Sequence, residues 1–173
     1  MQILLTPAVI ARLRSELRTA GRREIGGVLM GEHVEGGTFR IVEISVQRSG
    51  GTVAHFERDP EHHRVALAEF FARTRNEFTR FNYLGEWHSH PSFPAVPSLN
   101  DIHTMQRLVE DADVGVNFAV LFIARLRLWG RLETSANAFR PHAEHEPVEL
   151  ILDRDRLQKP RSIRQRISGF FRV

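Results

Sequence analysis

Histidines, acids and serines suited to metal chemistry crowd into residues 85–104, whose sequence is GEWHSHPSFPAVPSLNDIHT. His88 and His90 are separated by one residue, and in a β-strand such residues point to the same face. Two imidazoles on one face can reach a single ion. Asp101 follows 11 positions after His90 and could add a carboxylate if the chain turns back. Two histidines and one carboxylate are a common ligand set for catalytic zinc, which keeps its fourth position for water.

Local chemistry leaves other interpretations open. A His-x-His pair also arises on ordinary surfaces, so a solvated polar loop is an alternative to a metal site. Glu86 has the same strand parity as His88 and His90, so it could face the same ion as a proton acceptor or as a structural neighbour. Ser98 could take part in chemistry or could only cap the helix that follows it.

The remaining histidines are expected to lie on the surface. His62 and His63 occupy the first turn of a predicted helix and should be solvated. His103 follows Asp101 by two positions in another predicted helix, so the two side chains should point apart. The sequence contains no His-Glu-x-x-His motif of the kind found in other zinc proteases.

Composition restricts the chemistry further. The 173 residues suit one domain, and a hydrophobic fraction of 42% with 26% charged residues is ordinary for a globular protein. Cysteine is absent, which excludes disulfides, thiolate ligands and a cysteine nucleophile. No apolar run approaches the roughly 18 residues of a membrane span. The start of the chain lacks a basic segment ahead of an apolar one, so no signal peptide is expected and the cytoplasm is the predicted location.

Charge divides the chain into two parts. Residues 154–173 hold seven basic residues and one acid, a balance of +6, whereas the whole chain carries +3 and residues 1–153 therefore carry −3. We predict a domain over residues 1–153 and a basic amphipathic tail over residues 154–173. Four apolar residues of the tail share one helical face: Ile163, Ile167, Phe170 and Phe171. Packing on the domain or on a partner is the favoured role of the tail, with disorder, membrane-surface binding and nucleic-acid contact as alternatives.

Hydrophobic periodicity and turn residues predict an α+β protein. The predicted helices cover residues 7–20, 59–80 and 99–111. The predicted strands cover residues 24–33, 39–47, 52–58 and 82–90, then a buried strand and a second strand around 124–127 within residues 117–133, and one or two strands within 138–152. Strands and helices do not alternate strictly, which favours a mixed sheet flanked by helices over a doubly wound parallel sheet.

The elements around the histidines explain how Asp101 could approach them. Residues 82–90 form the strand that presents the histidine pair. Three prolines keep the following segment in a loop, because proline joins neither a ladder nor a helix interior; they are Pro91, Pro94 and Pro97. Ser98 then caps the next helix, with Asp101 in the capping-box position three residues on.

The spacing of these residues resembles the motif of the JAMM zinc metalloproteases, also called the MPN or JAB-domain family. That motif is His-x-His, seven residues, Ser, two residues and Asp, and it matches His88, His90, Ser98 and Asp101. The family also has an upstream glutamate before a glycine-rich strand, and Glu24 in REIGGVLMG holds that place. The resemblance extends over most of residues 1–135, and the small size is most similar to that of compact bacterial JAB-domain proteins.

The resemblance implies a set of roles. His88, His90 and Asp101 would bind Zn²⁺, Glu24 would be the general base and Ser98 would offer its hydroxyl to the oxyanion. The implied fold is the MPN, or cytidine-deaminase-like, fold. The implied activity is deubiquitinase-like: hydrolysis of an isopeptide or peptide bond after the C-terminus of a ubiquitin-like protein, by deconjugation or by precursor processing.

The resemblance also implies partners, namely the ubiquitin-like protein and its conjugates, with homologues of activating and conjugating enzymes in a bacterial antiviral defence operon. An extended ubiquitin-like tail could bind by adding a strand to a sheet edge. No nucleic acid is expected as a clear partner. Two alternatives remain: a partner-docking MPN scaffold without activity, and a metallohydrolase of a small amide or a sulfur-carrier protein.

Overall fold

A computed structural model of the chain describes residues 1–50 and 59–153. These residues form one mixed sheet of eight strands and three α-helices, which confirms the predicted α+β class. The strands are β1 (Gln2–Leu5), β2 (Gly26–Glu35), β3 (Thr38–Ile44), β4 (Phe81–Ser89), β5 (Ala119–Leu126), β6 (Leu132–Phe139), β7 (Glu146–Pro147) and β8 (Glu149–Leu152). The helices are α1 (Pro7–Ala20), α2 (Pro60–Arg73) and α3 (Leu99–Glu110). The strand predicted at 52–58 and the tail at 154–173 lie outside the described residues.

The strand that carries the histidine pair lies in the interior of the sheet. The strand order is β7-β6-β5-β4-β2-β3-β1-β8. β4 runs antiparallel to β2 and parallel to β5, and β1 pairs in parallel with both β3 and β8. The end of β4 is therefore held from both sides by ladder hydrogen bonds.

Helix α1 covers one face of the sheet. It begins where the Thr6 hydroxyl accepts a hydrogen bond from the Val9 amide and ends at Gly21, which adopts a positive φ of 62°. Its apolar stripe of Val9, Leu13 and Leu17 is buried against residues of the sheet. No helix among the described residues is long and apolar enough to cross a membrane.

Helices α2 and α3 cover the opposite face. Phe70 of α2 packs with Val28 and Met30 of β2, and α3 packs its buried Met105 and Val109 against a second group that includes Ile123 of β5. His88 pairs with Ile123 across the β4–β5 ladder. Because directly paired residues share a face, His88 points to the side of the sheet that carries α3.

A β-bulge at a glycine determines which side chains of β4 point to this face of the sheet. Gly85 has a φ of 145°, and a Cβ at this position would lie 2.0 Å from the Val120 carbonyl oxygen. The register of β2 against β4 shifts at the same point. The bulge changes which side chains of β4 face α2 and α3, and after it the alternation directs Glu86 and His88 to that face.

Three elements differ from the sequence prediction. Helix α2 ends at Arg73 and not near residue 80, because Arg75 and Asn76 adopt left-handed backbone angles with φ of 56° and turn the chain into β4. β1 was not predicted, since four residues carry little periodic signal. The second strand placed around 124–127 is wrong: Ala119–Leu126 is a single strand, and its antiparallel partner begins at Leu132.

His63 also corrects a prediction. It was expected to be solvated, but it is 0% exposed. Its Nδ1 lies 2.8 Å from the Ser45 hydroxyl and its Nε2 lies 3.1 Å from Gln47 Oε1. The prediction failed because the first turn of α2 packs onto the end of β3, which periodicity does not reveal. His103 is exposed, as predicted.

Candidate metal centre

The two histidines lie side by side where β4 ends. His88 is in the strand, and His90 follows it with its amide donating to the Ala124 carbonyl at 3.0 Å. This hydrogen bond extends the β4–β5 pairing beyond the strand and keeps both side chains on one face. Their Nε2 atoms are 3.0 Å apart.

Asp101 reaches the histidines from the first turn of α3. The Ser98 hydroxyl accepts a hydrogen bond from the Asp101 amide at 3.2 Å, and the Ser98 amide donates to Asp101 Oδ2 at 2.7 Å, which completes a capping box. Asp101 Oδ1 lies 3.4 Å from His88 Nε2, and Oδ2 lies 3.7 Å from His90 Nε2. Helix capping therefore fixes the carboxylate beside the imidazoles.

A backbone carbonyl sets the proton position on His90. Its Nδ1 lies 2.9 Å from the Pro94 carbonyl oxygen. A carbonyl oxygen only accepts, so Nδ1 must carry the hydrogen. In the neutral ring Nε2 then has a free lone pair, which faces Asp101 and His88.

The Asp101 carboxylate is held in its charged form. Burial raises its pKa, but the hydrogen bond and charge of His88 and the hydrogen bonds from Ser98 hold that pKa well below its usual range. The group is therefore ionised at neutral pH and has the charge state that a metal ligand requires.

The chemistry of this donor set fits a zinc ion. One ligand atom from each of His88, His90 and Asp101 can be chosen so that all lie within 4.8 Å of one another. The set joins two imidazole nitrogens to one carboxylate oxygen, which is the composition of catalytic zinc sites with three protein ligands. In the described parts of the chain, residues 1–50 and 59–153, no second group of three such residues was found.

The β2–β4 pairing leads the chain segment that carries Glu24 toward this group. Gly26 is the register partner of His88. One step on, the Ser89 amide donates to the Ile25 carbonyl at 2.8 Å, and the Ile25 amide donates to the Ser89 hydroxyl at 3.0 Å. One further step of the same register sets Glu24 opposite His90. Glu24 is 5% exposed, so its carboxylate is shielded from solvent.

The structure also places Ser98 and Glu86, whose roles the sequence left open. The Ser98 hydroxyl donates to Asp101 Oδ2 at 2.7 Å, so in this structure it is engaged with the carboxylate and the helix cap. Glu86 pairs with Val28 and lies one strand repeat behind His88, away from the end of β4. Asp101 is therefore the acid that approaches the histidines from within this segment.

Sequence inspection missed two contributors to the site. The Pro94 carbonyl is a backbone group, so no residue type marks it. Arg125 of β5 donates from its Nη1 to the Phe93 carbonyl at 2.6 Å, and nothing in the local sequence distinguishes it from the many other arginines. Both could be found only once the loop after β4 was placed against β5.

Comparisons with known proteins identify a family. The family model of prokaryotic homologues of the JAB domain matches residues 6–145. The chain is 29% identical over 114 residues to a CD-NTase/cGAS isopeptidase of Enterobacter hormaechei, covering 64% of this chain and 60% of that protein. It is 32% identical over 109 residues to a protein of the same name from Vibrio cholerae, covering 61% of this chain and 65% of the relative. The chain thus spans less than two thirds of the length of these curated relatives.

Solved structures share the fold. A protein of Desulfitobacterium hafniense superimposes with a TM-score of 0.64 at 23% identity, covering 88% of this chain and 93% of that one. A protein of Salinibacter ruber gives a TM-score of 0.53 at 21% identity, covering 89% and 92%. The family match over residues 6–145 shows that the chain belongs to the family of prokaryotic homologues of the JAB domain.

Proposed function

We propose that this protein is a zinc-dependent isopeptidase or peptidase that cleaves after the C-terminus of a ubiquitin-like protein. The observation that carries the proposal is the convergence of His88, His90 and Asp101 from two separate elements, with the lone pair of His90 Nε2 directed into the group. Membership of the JAB-domain family and relatives named as isopeptidases support it.

The three ligand side chains have the lone pairs and the charge for a divalent cation. A zinc ion held by His88, His90 and Asp101 would supply Lewis-acid chemistry, polarising the scissile carbonyl and making water more acidic. The β4–β5 ladder holds the histidines, and the α3 cap holds the aspartate, so rigid elements position each ligand. Rigid positioning of this kind lowers the reorganisation that catalysis would otherwise require.

Glu24 is the group best placed to move a proton. Its carboxylate takes a proton from the attacking water and later delivers it to the leaving amine, which lets one group serve both halves of the reaction. Glu24 is buried, so its carboxylate is shielded from bulk water. The role depends on the β2–β4 register, which brings residues 64 positions apart into contact.

The Ser98 hydroxyl has one hydrogen for two roles: the hydrogen bond to Asp101 and the stabilisation of an oxyanion. It donates to Asp101 Oδ2 in this structure, whereas stabilising an oxyanion requires the same hydrogen to point at the substrate. The amide of Ser98 also donates to Asp101 Oδ2 at 2.7 Å, so the carboxylate keeps a partner when the hydroxyl turns. We propose that the hydroxyl turns toward the oxyanion on substrate binding.

The substrate approaches over the loop that follows β4. β4 is separated from both edge strands, β7 and β8, by at least two other strands, so a peptide added to either edge would lie far from the histidines. The loop and the start of α3 expose apolar side chains beside the site, namely Phe93, Val96 and Leu99. An extended ubiquitin-like tail that crosses this apolar rim would place its terminal carbonyl next to Asp101.

The relatives' name suggests the kind of conjugate. Two of them are named CD-NTase/cGAS isopeptidase, so we propose that this chain releases a ubiquitin-like protein from a CD-NTase-type enzyme within a bacterial defence system. The bond would then be an isopeptide or amide bond between the modifier's C-terminus and an amine of that enzyme.

Cleavage of a defined conjugate tests the proposal. The full chain, loaded with zinc, would be incubated with the ubiquitin-like protein encoded by neighbouring genes, fused through its C-terminus to a reporter protein. We expect cleavage at the junction, loss of cleavage with a chelator and recovery on adding Zn²⁺. Unchanged cleavage in the chelator would contradict zinc dependence.

A second substrate separates this function from its alternatives. A small aryl amide without the modifier should be cleaved far more slowly than the fusion, because it lacks the contacts that bring the bond to the site. Equal rates on both would favour a small-amide hydrolase. Tight conjugate binding without cleavage by the zinc-loaded chain would favour a docking scaffold.

A further inference from the structure

We propose that Arg125 is a positioning residue for His90, acting through the loop between β4 and α3. This inference rests on the proposed function only in taking His90 as a metal ligand. It adds a residue that lies outside the His-x-His, Ser and Asp motif and the upstream glutamate.

The sheet places Arg125 beside His90. His88 pairs with Ile123 and Ser89 pairs with Ala124 across the parallel β4–β5 ladder. The next step of that register sets His90 beside Arg125, and the alternation of the strands puts the Arg125 side chain on the face of His88 and His90. The guanidinium thus lies under the loop that leaves β4.

Two adjacent carbonyls connect Arg125 to the imidazole. Arg125 Nη1 donates to the Phe93 carbonyl at 2.6 Å, and the next carbonyl, that of Pro94, accepts from His90 Nδ1 at 2.9 Å. A single peptide unit separates the two contacts. Movement of the Phe93 carbonyl therefore moves the group that orients the His90 ring and fixes its tautomer.

Glu133 holds the guanidinium in place. It is the cross-strand partner of Arg125 on β6, and its Oε1 accepts from Arg125 Nη2 at 2.8 Å. Hydrogen bonding to Arg125 holds the pKa of Glu133 below its usual range, so the pair is ionised at neutral pH. Arg127 donates to the other oxygen of Glu133 at 3.3 Å. Within the described part of the chain it makes no hydrogen bond to the loop, so it serves as a matched control.

The site requires an arginine for geometric reasons. One nitrogen bonds the loop while another bonds Glu133, and the rigid planar fork of arginine supplies both directions at once. The Arg125 side chain is only 17% exposed, and its Nε is buried with no hydrogen-bond partner among the described residues. Burying a guanidinium with one unsatisfied donor costs stability. The hydrogen bond that Arg125 makes to the loop, and through it the position of His90, gives this cost a function.

Metal affinity, measured without substrate, tests the inference. Partners that orient metal-bound histidines are typically worth about 10–100-fold in metal affinity. We expect Arg125→Met to weaken Zn²⁺ binding by about that factor in competition with a chromophoric chelator. Arg125→Lys should recover only part of the loss, because lysine supplies a single point of attachment. The control Arg127→Met should stay within about twofold of the unmodified chain, since it leaves the loop contact in place.

A spectroscopic measurement separates positioning from general destabilisation. Cobalt loaded in place of zinc reports ligand geometry through its visible absorption, and we expect that spectrum to change in Arg125→Met but not in Arg127→Met. Glu133→Gln keeps the size of the side chain and should give a smaller change in the same direction; it also tests the inference if Arg125→Met does not fold.

The results that would overturn the inference differ from those that would overturn the function. Metal affinity and cobalt spectra of Arg125→Met and Glu133→Gln equal to those of the unmodified chain would refute the positioning role, even if the enzyme cleaves conjugates. A chain that binds zinc in an Arg125-dependent way but cleaves no conjugate would retain this inference and refute the proposed function.

Discussion

Two clusters of partly buried polar side chains lie near the two ends of β2, and their charges are balanced in different ways. We call the first the closed cluster; it consists of Glu32, Arg40, Arg80 and Asp153. Arg40 donates to Glu32 at 2.6 Å and to Asp153 at 2.5 Å, and Arg80 donates to Glu32 at 2.7 Å. Two carboxylates face two guanidiniums, so the cluster neutralises itself.

We call the second the open cluster; it consists of His88, His90 and Asp101. Its carboxylate is ionised, and the neutral form of His90 directs a lone pair at it. Two electron-pair donors in close contact repel one another unless a proton or a cation lies between them. This cluster therefore gains most from an added positive ion, whereas the closed cluster already contains its own.

The charge balance of the two clusters distinguishes a structural cluster from a functional one in this fold. Buried charges must be compensated, since removing them from water is costly. Where the chain supplies both signs, the cluster holds strands together. Where it supplies imidazole nitrogens and a single carboxylate, the cluster can take up a metal ion, which brings chemistry with it. The two clusters are separated by about 20 Å along β2, so a substitution in one should leave the other intact.

The largest expected effect is the loss of a ligand from the open cluster. Asp101→Asn keeps the shape of the side chain but removes the only negative charge of the three. Metal affinity should fall by more than about 100-fold, since even outer partners of ligands are worth about 10–100-fold. Chelator competition measures this. Glu32→Gln, the corresponding change in the closed cluster, should leave metal affinity within about twofold. An equal loss of metal affinity in both variants would show that the two clusters do not differ in metal binding.

The next effect separates metal binding from proton transfer. Glu24→Gln should lower kcat by about 10²–10⁴-fold, the usual contribution of a positioned general base. Because Glu24 is not one of the three clustered ligands, zinc affinity should not change. Single-turnover cleavage and metal titration on one preparation give both numbers. Full activity in this variant would remove Glu24 as the base.

Breaking the closed cluster should affect stability instead of chemistry. Arg40→Met removes one partner each of Asp153 and Glu32. Loss of one member of a buried ion pair typically costs about 3–5 kcal/mol, and we expect a decrease of that order in the free energy of unfolding in urea. Zinc affinity should stay unchanged. A stable variant with weakened metal binding would show that the two clusters are coupled.

Acid should reveal the closed cluster through Glu32. Burial raises the pKa of Glu32, but its hydrogen bonds to Arg80 and Arg40 outweigh burial and lower that pKa below its ordinary 4.5. A group with a lower pKa in the folded state contributes its stability above the ordinary pKa and loses it as the pH falls through the folded value. The stability difference between the unmodified chain and Glu32→Gln should therefore be constant near neutral pH and shrink below about pH 4.5. A difference that grows on acidification would contradict the lowered pKa.

The smallest effect concerns the cap that holds Asp101. Ser98→Ala removes the hydroxyl that accepts the Asp101 amide and should cost about 1 kcal/mol of unfolding free energy. The Ser98 amide still donates to Asp101 Oδ2, so metal affinity should drop only slightly. A fall in kcat larger than the stability loss explains would support the oxyanion role, and an unchanged kcat would leave Ser98 with capping alone.

Local chemistry in the sequence predicted part of this organisation. Ser98 and Asp101 form the capping box that their spacing indicated, because capping involves residues three positions apart. The parity of His88 and His90 likewise follows from strand geometry. The mixed sheet and helix α1 were also predicted, since both follow from strong apolar patterns.

Long-range pairing could not be predicted in the same way. The position of Glu24 opposite His90 depends on the β2–β4 register, and only the family resemblance indicated it. His63 was placed in solvent because its burial comes from packing of α2 on β3. Helix α2 was extended too far because left-handed angles at Arg75 and Asn76 have no signal in apolar periodicity. Arg125 of β5 was not distinguished by spacing either.

The most direct test of the account is to locate zinc in crystals of the zinc-loaded chain by anomalous scattering on both sides of the zinc absorption edge. We predict one strong peak per chain, bonded to the Nε2 atoms of His88 and His90 and to an Asp101 carboxylate oxygen. The closed cluster around Glu32 should show none. A peak elsewhere, or no peak at the open cluster in zinc-loaded crystals, would contradict the central claim.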